Sequence, residues 1–315
     1  MLPFADICVD LQFMIKQFLQ SLGDAKNKAR KYRYRCLCPD CQNKSINSHL
    51  VQQHPYLESI AEDGLLYQII DNDIHPLAGD FNDYKEEVRS ISKTLSMPLF
   101  CAHHDNDLFK SIESGSVDLK SVKTFLLFSF RALASQRYIE ERRNVQYKNN
   151  GLEAELFFTQ RDYSSHAIAR FDSTLKLLHD DIVGSRFDDY VFTLVDLPYM
   201  PVCGSDVAVD DDEMGNSYCN GDRTIRPIDG LYITLLPSIN KDCLYALVGY
   251  HSKHVSARQR EFFNSLFNDT KDATILELIY RMKNWCASPS LFAETDFAEH
   301  YYCRRVELVF QYGGC

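Results

Sequence analysis

Along residues 5–22, apolar side chains recur at Ile7, Leu11, Met14, Ile15, Phe18, Leu19 and Leu22. That is the spacing of an amphipathic helix, and Gly23 predicts its end. After Ser48, the expected N-cap, "HLVQQHPYLESIAEDG" reads as one or two short helical turns, split near Pro55 and closed by Gly64. "LLYQII" reads as a strand, "DNDIHPLAGDFNDY" as a loop, and "EEVRSISKTLSMPLF" alternates enough to be partly extended. From Ala102 the acidic-then-apolar stretch "HHDNDLFKSIES" predicts a helix carrying Leu108, Phe109 and Ile112.

Two long helical patterns follow. "DLKSVKTFLLFSFRALASQRYIEERRNVQY" and "LEAELFFTQRDYSSHAIARFDSTLKLLHDDI", separated by "KNNG", predict an antiparallel helical hairpin. From about Arg186 the texture changes. "DDYVFTLVDLPYMPVCGSDVAV", "DGLYITLLPSI" and "CLYALVGYHS" are rich in valine, tyrosine and leucine and are punctuated by Pro and Gly, as antiparallel strands are. "SARQREFFNSLFN", "DATILELIYRMKNW" and "SPSLFAETDFAEHYY" then read as three helical stretches. The expected fold is α+β. A module with an N-terminal helix fills 1–115, a helical hairpin connector 116–185, and a β-rich domain with C-terminal helices 186–315.

Composition changes this picture little. Hydrophobic content of 45% and charged content of 25% in 315 residues are those of a globular chain with ample core. The N-terminal stretch lacks the pattern of a signal peptide and no apolar run reaches membrane-spanning length, so a cytoplasmic, non-membrane protein is expected. A net charge of −10 argues against a surface coated in nucleic-acid contacts. It leaves room for a local patch, and "KNKARKYRYR" supplies one with Lys28, Arg30, Lys31, Arg33 and Arg35 around Tyr32 and Tyr34. A solvated arm is the plainer reading of those cations.

The 11 cysteines are diluted over a long chain, and only the clustered ones suggest chemistry. Cys38-Pro39-Asp40-Cys41 has the form of a zinc knuckle, and Cys101-Ala102-His103-His104 offers a second, opening a helix. Together Cys38, Cys41, Cys101 and His104 predict a Cys3His structural zinc site, which makes the expected 1–115 module a treble-clef-like zinc module. Cys36 can take the place of Cys38, and His103 that of His104; spacing does not choose. The thioredoxin-type reading of Cys-x2-Cys is disfavoured because no βαβ pattern surrounds it.

These residues also resemble two known patterns. Cys38, Cys41, Ile46–His49, Phe100-Cys101, His104-Asp105, Leu108-Phe109 and Ile112-Glu113 fit an uncharacterised bacterial family whose pattern runs C-x2-C, INSH, FCxxHDxxLFxxIE. The layout is distantly similar to the HNH (His-Me finger) nucleases in their zinc-stapled form. That similarity implies His49 as general base and Asp105 as ligand of a catalytic Mg²⁺ or Mn²⁺. Three departures stand against it: Ser48 replaces the usual acidic residue, the central asparagine is absent from "TLSMP", and the knuckles are further apart.

Other candidates have plainer readings. His49 can brace a turn. Asp105, Asp107 and Glu113 suit a solvated helix start. Asp206–Glu213 reads as an exposed acidic turn, and His251 and His254 as sheet-edge residues. Two functions follow as expectations: a noncatalytic zinc-stabilised recognition or effector protein of defence or mobile-element type, with a protein or nucleic-acid partner, or a divergent HNH-type nuclease.

Overall fold

The computed structural model describes residues 16–17, 20–21, 23–71, 84–113, 117–149, 155–209, 218, 220–266 and 271–293. The apolar positions expected to form the first helix lie outside them, as do residues 72–83 and 210–217, expected as loop. Helix α1 runs over 23–31, so Gly23 does not end a helix. Ala25 and Ala29, four apart, turn inward, and the intervening charged side chains face out. A tight hairpin over 35–44 follows, closed by pairing of Arg35 with Lys44 and by Cys36 N–H donating to Asn43 O at 2.8 Å.

Strand β1 (Ile46–His49) comes next. Ser48 is therefore buried inside a strand and is not a helix cap. Helical turns over Gln53–Leu57 and Glu58–Ile60 lead to Gly64, whose φ of 73° reverses the chain into β2 (Leu65–Asp71). Strand β3 (Tyr84–Ser90) pairs back on β2, and β4 (Ser96–Phe100) returns to pair antiparallel with β1. Helix α2 (Ala102–Leu108) starts at Cys101, and a further turn spans Lys110–Glu113. The order of knuckle, β-hairpin and helix is that of a treble clef, with the β2–β3 excursion inserted in its hairpin.

Helices α3 (Val122–Asn149) and α4 (Glu155–Gly184) form the expected antiparallel pair. Strands β5 (Tyr190–Pro198), β6 (Val202–Val209), β7 (Gly230–Pro237) and β8 (Cys243–His251) are followed by α5 (Ala257–Ser265) and α6 (Lys271–Arg281). Ser256 caps α5 in a reciprocal box with Gln259. Strand β9 (Trp285–Ala287) and a turn over Pro289–Ala293 end the described chain.

The main sheet has seven strands in the order β3-β2-β9-β6-β7-β8-β5, all paired antiparallel. It draws strands from both sides of residue 186, because β9 lies between β2 and β6. Trp285 was expected in a helix. It lies instead in the strand that joins the two parts of the sheet.

Both faces of the sheet are covered. One packs on α3 and α4 and continues into the N-terminal module: Phe125, Phe128, Tyr232, Leu236 and Leu247 share a core with Leu50, Phe100 and Phe109. The other face packs Leu231, Ile233, Leu235, Ala246 and Val248 on Phe263, Ile275, Leu278 and Ile279 of α5 and α6. This explains why β7 reads "GLYITLLP" with every position buried, where a one-sided antiparallel strand would alternate. No helix among the described residues is long and apolar enough to cross a membrane.

Candidate metal centre

Asp40, third in the turn Cys38-Pro39-Asp40-Cys41, has φ 63°, and Cys41 N–H donates to Cys38 O at 3.2 Å. Pro at the second position and a left-handed residue at the third are the requirements of a type II turn. This turn reverses the 35–44 hairpin and sends its two arms towards the start of α2. There Cys101 occupies the N-cap position and His104 lies one turn on.

Four donor atoms meet: the thiols of Cys36, Cys41 and Cys101 and a ring nitrogen of His104, all within 4.8 Å of one another. Cys41 Sγ is 4.0 Å from Cys101 Sγ, and His104 Nδ1 is 3.4 Å from both Cys36 Sγ and Cys101 Sγ. A tetrahedral zinc with ordinary bond lengths requires S···S edges of about 3.8 Å and S···N edges of about 3.6 Å. The donor set and its spacing thus fit zinc with little adjustment, and the Cys3His cluster can hold such a metal ion.

One ligand differs from the expected set: Cys36 stands where Cys38 was placed. The pairing of Cys36 with Asn43 puts Cys36 on the arm opposite Cys41, whereas Cys38 sits within the turn and its thiol is not among the four clustered donors. Burial pushes the Cys36 and Cys38 thiols each up to about 12. A buried thiol ionises only where a cation compensates it, so Cys36 needs the metal to become a thiolate. At Cys101 burial is outweighed by the His104 backbone N–H and by side-chain hydrogen bonds from Cys36, Asn43 and Cys41, which pull its thiol below the ordinary value. Burial first, and then the neighbouring His103 and His179, lower the His104 pKa and so favour the neutral ring that ligates, against an opposing pull from Asp107. His103 points outward and pairs with Asp107, Nδ1 to Oδ2, at 2.8 Å.

The other candidates lie around this cluster. His49 ends β1, opposite Ser96. Its Nε2 is 3.0 Å from Gln53 Nε2, which donates to it when the ring proton is on Nδ1. Burial and then the charge of Arg131 lower the His49 pKa, opposed by hydrogen bonds to the Ile91 and Ser92 backbone and by Asp105. Asp105 is not a solvated helix-start acid: its Oδ1 accepts from Arg131 Nη2 at 3.4 Å, and Glu113 takes a shorter bond from the same nitrogen. The Arg131 guanidinium also lies 4.0 Å over the Phe109 ring. A fully buried arginine of α3 thereby ties α2, the helix that begins at Cys101, to the helical layer. Arg131 was missed in the sequence, although it is the one charge within "TFLLFSFRALAS".

The remaining sites separate cleanly. Lys28, Arg30, Lys31, Arg33 and Arg35 are all exposed, on the end of α1 and the segment leading to the knuckle. Arg35 hydrogen-bonds Gln42 across the hairpin. Asp206 is not in an exposed turn; it is wholly buried in β6, and the rest of that acidic stretch lies outside the described residues. His251 is buried at the end of β8, ring to ring with Tyr190 at 4.9 Å and His254 at 4.8 Å, far in topology from the Cys/His cluster. Against protein-family models, curated proteins and solved structures, the chain finds no match.

Proposed function

We propose that this protein is a noncatalytic, zinc-stabilised recognition protein directed at nucleic acid, with the metal in a structural role. Four protein donors lie together, enough to fill a tetrahedral zinc with no open position, as structural zinc sites do and hydrolytic ones do not. The observation that carries the nucleic-acid part is the cation cluster Lys28, Arg30, Lys31, Arg33 and Arg35. It is exposed and gathered within eight residues of a chain whose net charge is −10, and the zinc clamp anchors the segment that bears it. Such a cluster attracts phosphate backbones with a salt-dependent affinity. The test is fluorescence anisotropy with labelled oligonucleotides at 50–200 mM salt. Binding should weaken steeply with salt and be abolished by the joint variant K28E/R30E/K31E/R33E. Unchanged binding by that variant, or no binding by the wild type at the lowest salt, overturns the reading.

A second reading has its own observation. His49 ends the first strand of a ββα unit, and Asp105 on its helix is close enough to raise the His49 pKa. A divergent HNH-type nuclease would use neutral His49 to activate water and Asp105 to hold Mg²⁺ or Mn²⁺. It stands second because Asp105 is engaged by Arg131 and Ser48 replaces an acid. Metal-dependent nicking of DNA or RNA, lost in His49→Ala, would move it to first; its absence across Mg²⁺, Mn²⁺ and Zn²⁺ leaves the scaffold.

A further inference from the structure

The cation cluster flanks, along the chain, an aromatic residue that is exposed to solvent and packed against a second ring. Tyr32 is 46% exposed, although it stands between buried Ala29 and buried Tyr34. Its ring packs edge-to-face on Tyr34 with centroids 4.9 Å apart. Tyr34 is itself fixed by the Tyr138 ring of α3 at 4.7 Å, and its hydroxyl donates to Ala29 O at 3.0 Å. The backbone is pinned on both sides of Tyr32. Tyr32 N–H donates to Ala29 O at 3.3 Å, and Ser45 N–H and Oγ–H donate to Tyr34 O at 3.1 and 3.0 Å. Tyr32 thus stays exposed to solvent while a chain of fixed contacts positions it.

Resting on the nucleic-acid reading above, we propose that Tyr32 is a stacking platform for a base of single-stranded nucleic acid. Lys28, Arg30, Lys31 and Arg33 track the strand's phosphates on either side. Single-strand sites combine cations along the backbone with an aromatic face for a base, and the face is of use only where bases are unpaired. A duplex offers phosphates to the same cations but keeps its bases stacked on one another. The cations are uncommitted: among the described residues these four make no ion pair with a carboxylate. Because Tyr32 is already oriented by Tyr34, little side-chain freedom is lost when a base lands on it.

The experiment uses the full zinc-loaded chain with a labelled 20-nucleotide oligo(dT), an abasic oligonucleotide of equal length and a blunt 20-base-pair duplex. Tyr32→Ala should weaken oligo(dT) binding roughly tenfold, the worth of one stacked base, and Tyr32→Phe should keep it. Duplex binding should be the same in all three proteins, and the abasic strand should bind the wild type as weakly as oligo(dT) binds Tyr32→Ala. Oligo(dT) binding unaffected by Tyr32→Ala, or a duplex weakened to the same degree, overturns the stacking role and leaves the nucleic-acid reading standing. Loss of that reading shows differently, as wild-type protein that binds none of the three probes.

Discussion

At the scale of single residues, the metal cluster separates two cysteines that adjoin in the same motif. Cys36→Ser should release zinc, whereas Cys38→Ser should retain one zinc per chain, by metal analysis of the purified variants. Zinc held by Cys36→Ser and lost from Cys38→Ser would reverse the assignment. Asp206 tests a different balance. Burial raises its pKa, so ionisation in the fold is opposed, and that cost is absent below the unfolded carboxyl range and grows as pH rises through it. Yet every partner of the carboxylate is a donor. Oδ1 accepts from Gln136, Val207 N–H and Asn284 Nδ2, and Oδ2 from the backbone N–H groups of Lys283 and Asn284. An amide would set an NH2 against donors. Asp206→Asn should therefore destabilise by about 2 kcal/mol despite removing a buried charge, read as a lowered denaturant midpoint. An unchanged or raised midpoint would show that desolvation outweighs those bonds.

At the scale of elements, the edge strand β5 and its neighbour β8 depend on an absent side chain. A Cβ on Gly249 would lie 2.6 Å from Phe192 Cβ and 2.8 Å from Phe125 Cζ, and closer still to the Val191 carbonyl. Phe125 and Phe192 are stacked with centroids 5.0 Å apart, so α3 sits on the sheet at this point. Neither backbone nor stacked rings can yield far in a close-packed interior. Gly249→Ala should cost about 3 kcal/mol, in the upper range of overpacking, with the loss visible in thermal melts. A shift of under one degree would mean that β5 moves freely relative to β8.

At the scale of the whole molecule, a metal held by the Cys3His cluster would close a long loop. Its ligands span residues 36–104, and between them the chain leaves to add β2 and β3 to the main sheet. Zinc binding favours the folded state by mass action, so a strong chelator should lower the melting temperature. Hydrogen exchange should rise first over 35–50 and 96–108, with β7 and β8 protected longer, since one of their two faces packs on α5 and α6, away from the clamp. Equal exchange in all regions would mean that clamp and sheet unfold as one unit. Protons compete with the metal for the thiolates and for His104. Zinc affinity should accordingly fall as pH falls, which a chromogenic chelator would register as faster release at pH 5.5 than at pH 8.

The helical hairpin, the antiparallel strands after residue 186, and Cys41, Cys101 and His104 as members of one Cys/His cluster were legible in the sequence. Each rests on local periods or short spacings that the chain carries by itself. Tertiary structure decided the rest. Cys36 displaced Cys38 because hairpin pairing, not residue count, sets which thiols share a side. Trp285, readable as helix in "LIYRMKNWCA", became the strand between β2 and β6 because two sheet edges from distant segments needed a partner there. Arg131 and Asp206, buried charges that local patterns cannot place, found partners supplied by other elements. Local propensity and spacing act within a few residues, so they determine elements and candidate ligands; which edges and charges meet depends on contacts that only the assembled layers create.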